Sequence, residues 1–207
     1  MPGIVLAVGH MEIALVGAAA AIVGGLLSGA YQHWREHFSR PKLEIDYEGT
    51  AANKVEIISE KIDGIDPGAI FIRARVRNTG RRTAKGTRVF LASLQEVISQ
   101  EQLLQTSFHD AKPLAWAGYD FKPRDMPPAP NVHFYVDLTS VLKKQSGWRF
   151  SVENGLFAGQ TSLTSYRGTY RFHLIATADN AEPATCAVDV SYDMDWHNLR
   201  AVAAPKA

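Results

Sequence analysis

Two patterns of apolar and polar residues divide the chain. Residues 13–34 contain no Asp, Glu, Lys or Arg. A helix of this length, at ~1.5 Å per residue, spans the ~30 Å hydrocarbon core of a bilayer. The pattern predicts a transmembrane anchor within residues 1–34, followed by a charged juxtamembrane linker at residues 35–42, which contains Pro41.

From residue 43 onward, apolar and polar residues alternate with the period of half-buried β-strands. Residues 94–108 alone have a weakly helical pattern, and we expect one short turn of helix there within a long connection. The pattern is typical of a mainly β protein, and it predicts an antiparallel β-sandwich over residues 43–200 and a flexible tail at residues 201–207. A small barrel is the alternative. The predicted strands are residues 43–48, 70–77, 87–94, 132–138, 148–152, 169–178 and 185–192.

The predicted transmembrane helix carries a regular row of small residues. Gly17, Ala21, Gly25 and Gly29 recur at every fourth position, and residues four apart lie on one face of a helix. Such a face lets two helix backbones approach closely in a membrane. The row favours self-association through the helix, although spans are often rich in Gly and Ala without any such role.

Charges beside the apolar segment predict its orientation. Arg35, Arg40 and Lys42 follow the segment, whereas Glu12 is the only charged residue before it. Because positive flanks stay in the cytoplasm, we expect a single pass through the inner (cell) membrane with the N-terminus outside and the C-terminal domain in the cytoplasm. The single Cys186 excludes an intramolecular disulfide and fits a reducing compartment. The alternative is a signal peptide cleaved near Ala30 and an exported domain.

Two short motifs resemble a known group of β-sandwiches. Asn78, Gly80 and Ala84 form an Asn-x-Gly-x-x-x-Ala hairpin, similar to that of bacterial immunoglobulin-like adhesion and cell-surface modules, and Gly168 and Tyr170 are similar to their Gly-x-Tyr strand starts. The whole layout also resembles uncharacterised bacterial proteins with one N-terminal span and one such domain. The resemblance implies an immunoglobulin-like fold and membrane attachment, but no activity, because these sandwiches have unrelated functions.

The densest charged segment gives the candidate binding residues. Seven basic residues and no acidic one lie between residues 71 and 90. Because arginine binds phosphate and carboxylate through its planar guanidinium, the segment predicts a site for an anionic ligand or partner. The alternative is a cross-strand charge ladder with the alternating Glu44, Asp46 and Glu48. The candidate binding residues are Arg73, Arg75, Arg77, Arg81 and Arg82.

Other chemistry has weaker support in the sequence. The formal net charge of +1 predicts no nucleic-acid partner. The sequence contains no Gly-x-Ser-x-Gly elbow, no phosphate-binding glycine loop and no His-Glu-x-x-His pair. His33 and His37 are two ligands without the others that a metal site needs, and Cys186 is expected to be a small buried side chain. We expect no catalysis, no metal and no cofactor.

These observations lead to two functional hypotheses. The first is a membrane-anchored binding module whose cytoplasmic β-sandwich contacts an anionic ligand or an unknown partner protein. The second is an oligomerising membrane effector that perturbs the bilayer when its sandwich senses a signal. The expected partners are the lipid bilayer, a second copy through the transmembrane helix, and that unknown protein or anionic ligand.

Overall fold

A computed structural model gives the fold of the chain. The chain divides into two units, Met1–Arg40 and Pro41–Ala207. Residues 148–150 are described by their backbone alone. The described residues are 25, 28–32, 39–57, 68–99, 101–106, 108, 110–118, 120–142, 148–150 and 167–205.

Little of the predicted transmembrane helix belongs to the described residues. Residues 25 and 28–32 are helical, so Gly25 and Gly29 lie in helix. Gly17 and Ala21 lie outside the described residues, as do His33 and His37. In the part of the chain that the structure describes, no helix has both the length and the apolar character needed to cross a membrane.

The second unit is mainly β, and its strands pair antiparallel. A short 3-10 helix, Trp196–Asn198, precedes the last strand. In chain order the strands are β1 Leu43–Asp46, β2 Lys54–Ile57, β3 Ala69–Asn78, β4 Ala84–Val97, β5 Leu103–Gln105, β6 Lys112–Pro113, β7 Arg124–Met126, β8 Phe134–Leu142, β9 Trp148–Phe150, β10 Gly168–Ala178, β11 Ala181–Tyr192 and β12 Arg200–Ala203.

The strands form two sheets that share one core. In the first sheet the order is β1-β3-β8-β9, and β2 pairs with the part of β3 that β1 leaves open. In the second sheet the order is β12-β11-β10-β4-β5, and β6 and β7 also pair along β4. Buried apolar side chains from both sheets belong to a single cluster. This arrangement confirms a sandwich-like antiparallel fold, while the finer immunoglobulin-like assignment stays a prediction.

A β-bulge in each sheet keeps apolar side chains in the core although the alternation slips. In β4, Leu91 and Leu94 are both fully buried, three positions apart, because the pairing with β10 shifts there. In β8, the pairing with β3 shifts beside Leu138, so Leu138 and Val141 both belong to the core. A bulge inserts one extra residue into a strand and changes which side chains face inward.

One segment of the chain pairs with both sheets. The Leu114 N–H donates to the Val89 carbonyl of β4 (2.8 Å), and the Ala117 N–H donates to the Tyr135 carbonyl of β8 (2.8 Å). Trp116, between them, is buried, and its Nε1 donates to the Lys122 carbonyl (3.0 Å). The connection between β6 and β7 therefore links the two sheets along one side.

Each of the seven predicted strands overlaps a strand of the structure. The helical prediction at residues 94–108 is wrong, because β4 continues through Val97 and β5 pairs back on it. Pairing with β10, where Tyr170 lies opposite Glu96, overrides the weak helical preference of this segment. β12 extends the second sheet to Ala203, into the predicted tail.

Candidate functional site

Two of the candidate arginines form a charge ladder between β1 and β3. Arg77 lies directly opposite Glu44, and Arg75 lies opposite Asp46. The Arg75 guanidinium donates two hydrogen bonds to Asp46 (2.9 and 2.8 Å) and another to Glu48. The hydrogen bond with Asp46 raises the pKa of Arg75 further, so this charge is permanent. The structure therefore contains the ladder that was the alternative interpretation of these residues.

The third strand arginine is paired with an acid that the sequence does not point to. Arg73 Nε donates to Asp137 Oδ1 on β8 at 2.6 Å. Asp137 is fully buried, and its Oδ2 has no hydrogen-bond partner among the described residues. Burial raises the pKa of the Asp137 carboxyl, although Arg73 acts in the opposite direction. The charge of Arg73 is therefore committed to a costly buried pair.

Arg81 and Arg82 differ from the strand arginines. Both lie in the turn between β3 and β4, both are exposed, and neither has an ion-pair partner among the described residues. Lys85 and Arg88, at the start of β4, are exposed as well. We call Arg81, Arg82, Lys85 and Arg88 the basic turn. These cations have no ion pair with a described residue that must break before they contact an external anion.

Asn78 fixes the backbone of the basic turn against the start of the domain. Its Nδ2 donates to the Arg82 carbonyl (2.7 Å) and to the Met126 carbonyl (3.0 Å), and its Oδ1 accepts from the Lys42 N–H (3.1 Å). Asn78 is buried, so these bonds are shielded from water. The basic turn therefore lies beside Lys42, where the chain passes from the linker into the first strand.

A polar cleft of about 440 Å³ opens at the other end of the second sheet. The pairing of β10, β11 and β12 places Thr169, Ser191 and Arg200 side by side. The hydroxyl oxygens of Thr169 and Ser191 are 2.8 Å apart. The cleft is lined by Arg167, Gly168, Thr169, Ser191, Tyr192, Asp193, Asn198 and Arg200.

Asp193 organises one wall of this cleft. Its carboxylate accepts from the Asp195 N–H (3.0 Å) and from Asn198 Nδ2 (2.9 Å). The backbone hydrogen bond from Asp195 lowers the pKa of Asp193, and Asn198 and Arg167 lower it further. Asp193 is therefore ionised at neutral pH. In the sequence, nothing local indicates that Arg167 and Arg200 lie close to Asp193.

The outer face of the second sheet carries a further polar row between the cleft and the basic turn. Arg171 donates two hydrogen bonds to Asp189 (2.7 and 2.8 Å). His173 Nε2 lies 2.9 Å from Gln95 Oε1. Burial lowers the pKa of His173, and the Arg171 charge lowers it further, so the ring is neutral at pH 7. Asp189 is therefore paired with an arginine.

The described residues contain no group of three His, Cys, Asp or Glu side chains that could hold a metal ion. Cys186 is partly buried and packs against the core.

Comparison with known proteins found no match: no family model, no curated protein and no solved structure is similar to this chain.

Proposed function

We propose that this protein is a membrane-anchored, non-catalytic binding module whose β domain contacts an anionic surface through the basic turn. The observation that supports this most strongly is the contrast within one basic segment. Arg75 and Arg77 are paired with carboxylates of β1, whereas Arg81 and Arg82 are exposed and have no acidic partner among the described residues. Arg81 and Arg82 are therefore the main binding residues of the proposal, and Arg73, Arg75 and Arg77 hold the sheet beneath them.

Anionic lipid headgroups are the partner that the geometry supports best. The basic turn is tied through Asn78 to Lys42, which follows the end of the predicted span, Trp34, by eight residues. A chain extends by at most ~3.6 Å per residue, so the covalent link keeps Lys42 within about 30 Å of that end. Each basic residue near an anionic leaflet contributes ~1 kcal/mol. Four exposed cations at this position support reversible docking on the membrane surface.

The direction in which the domain faces is part of the same proposal. Arg35, Arg40 and Lys42 lie on the domain side of the predicted span, and this distribution favours a cytoplasmic domain facing the anionic inner leaflet. Export after cleavage near Ala30 is the alternative. The sequence Asn154-Gly155, which lies outside the described residues, predicts a turn. A single cysteine placed there, in a Cys186→Ala background, distinguishes the two positions of the domain with an impermeant maleimide. Labelling only after lysis supports the cytoplasmic position, and labelling of intact cells contradicts it.

The direct test compares the basic turn on two membranes. The full chain is reconstituted into nanodiscs of phosphatidylcholine alone, or of phosphatidylcholine with about one third phosphatidylserine. We expect amide hydrogen exchange of residues 79–83 to slow on the anionic discs. The double variant Arg81→Glu/Arg82→Glu should lose this difference, while Lys112→Glu, a control on β6, should keep it. Equal exchange on both lipids in the wild type would refute lipid binding.

A second candidate function is an oligomerising membrane effector. Gly25 and Gly29 are exposed helical residues, and a Cβ added at either position would meet nothing within 4 Å among the described atoms. This face is open enough for a second helix to pack closely. Gly25→Leu/Gly29→Leu should abolish cross-linked oligomers and any toxicity on expression, while Ala30→Leu, an equally large substitution at an exposed helical residue outside this row, serves as a control. Toxicity that persists in a monomeric variant would exclude this function.

A further inference from the structure

The polar cleft between Arg167 and Arg200 lies far from the basic turn along the second sheet. β10 begins at the cleft with Gly168, and it ends at the β10–β11 turn, where Asn180 contacts the start of β4. The Asn180 Oδ1 accepts from the Lys85 N–H (2.9 Å), which places that turn beside the basic turn. The cleft is therefore a separate surface, and its role is independent of the function proposed above.

The cleft contains two exposed arginines, Arg167 and Arg200. Arg200 is exposed and has no ion-pair partner among the described residues. Arg167 is also exposed and acts on Asp193 only through longer-range attraction. The Ser191 hydroxyl lies in the register row between Thr169 and Arg200, with neighbouring strands ~4.8 Å apart. Guanidinium and hydroxyl donors at this spacing can converge on one phosphate or carboxylate.

Asp193, two residues after Ser191, supplies the complementary chemistry in the same cleft. An ionised carboxylate has about four acceptor positions, and two of them accept from Asp195 N–H and Asn198 Nδ2. The remaining positions can accept from hydroxyl groups of a ligand. Because a carboxylate repels an anion, the anionic group of a ligand would lie toward Arg200 and Ser191, and its hydroxyl groups would lie toward Asp193.

We infer that this cleft binds a small hydroxylated anion, a sugar-sized molecule with a phosphate or carboxylate group. The volume of about 440 Å³ lies within the range of ligand-binding pockets in proteins, ~300–1,000 Å³. Arg200 and Arg167 are the cations available to the anionic group, one hydroxyl of the hydrogen-bonded Thr169–Ser191 pair donates to it, and Asp193 accepts from the hydroxyl groups of the ligand.

The test is calorimetric titration of the full chain in detergent with three probes: glucose 6-phosphate, glucuronate and glucose. We expect at least one of the two acids to bind and glucose to bind at least about tenfold more weakly. Glucose 6-phosphate alone would indicate a phosphate site, and glucuronate alone a carboxylate site. Absence of binding by both acids at about 10 mM, or equal binding of glucose, would overturn the inference.

Variants assign the binding to the cleft. Arg200→Gln should weaken binding of the acid by about tenfold or more, and Ser191→Ala, a smaller change that tests the same row, should weaken it severalfold. Arg88→Gln is the matched control, since Arg88 is an exposed arginine of the same sheet outside the cleft. Arg81→Glu/Arg82→Glu should leave this binding intact, so failure of lipid docking and failure of the cleft are distinguishable. Unchanged affinity in both Arg200→Gln and Ser191→Ala would refute the assignment.

Discussion

The pair Arg73–Asp137 predicts that removing its two members has unequal effects. In Arg73→Met, the fully buried Asp137 loses its only ion-pair partner among the described residues. Breaking a buried pair in this way costs ~3–5 kcal/mol, because an uncompensated charge stays in the interior. In Asp137→Asn, the remaining charge belongs to Arg73, whose side chain is 16% exposed and can still reach water. We expect that variant to lose only about 1 kcal/mol.

The burial of Asp137 also predicts how the stability of the folded chain changes with pH. Burial raises the pKa of Asp137 in the folded chain above its unfolded value, so the folded chain binds this proton more tightly. Stability therefore falls as the pH rises through the window between the unfolded and the folded pKa. Arg73→Met removes the charge that opposes this rise in pKa, which widens the window. The deficit of Arg73→Met should accordingly shrink as the pH is lowered toward the unfolded value of about 3.9.

Urea unfolding followed by tryptophan fluorescence in mild detergent measures both effects, because the buried Trp116 reports on the core. In thermal unfolding followed by the same fluorescence, Arg73→Met should lower Tm by roughly 6 to 20 °C for a domain of this size. The double variant Arg73→Met/Asp137→Asn is the control for coupling, and it should be less destabilised than the sum of the single variants. If Asp137→Asn costs as much as Arg73→Met at pH 7, the argument from burial is wrong.

Three other predictions test separate parts of the fold. Gly86→Ala should cost ~1–3 kcal/mol of stability, and more than Gly118→Ala. Both glycines have positive φ, but a Cβ at residue 86 would lie 2.6 Å from Asp179 Oδ2, while residue 118 has open space among the described atoms. Urea unfolding midpoints compare the two variants. Burial raises the pKa of Glu44, but hydrogen bonds from neighbouring side chains outweigh it and lower the pKa in the folded chain. The contribution of Glu44 to stability is therefore lost as the pH falls through the folded pKa. Glu44→Gln should reduce the loss of stability at acidic pH that urea titrations measure. Trp116→Phe should lose ~1–3 kcal/mol in the same assay, because it leaves a gap where the buried indole packs and removes the hydrogen bond to the Lys122 carbonyl.

The sequence predicts the long strands well because their signal is local. In β3, Ile72 and Val76 face the core while Arg75 and Arg77 face away from it, and this alternation is visible without the structure. The charge ladder was partly predictable for the same reason, since acids alternate on β1 as arginines do on β3. The short strands β2, β5, β6 and β7 have too few residues for a period to be recognised.

Side-chain contacts that depend on strand register could not be predicted from the sequence. Arg73 meets Asp137 only because β3 pairs with β8 and a bulge at Leu138 brings that carboxylate opposite it. Arg200 joins Ser191 because β12 folds back on β11. Neither pairing has a local signature, as the partners in the first case are 64 residues apart. The basic segment was therefore recognised as a whole, and only the structure separated its paired arginines from its unpaired ones.

The connection between β6 and β7 has a consequence for how the domain comes apart. Leu114 is bonded to one sheet and Ala117 to the other, and three residues of backbone span at most ~11 Å. The sheets cannot separate along this side unless one of these hydrogen bonds breaks and Trp116 leaves the core. A partly unfolded state with one sheet intact is therefore high in free energy. Loss of either sheet would expose the core that both sheets share. Unfolding of the β domain is consequently expected to be all-or-none, which is how small domains usually behave.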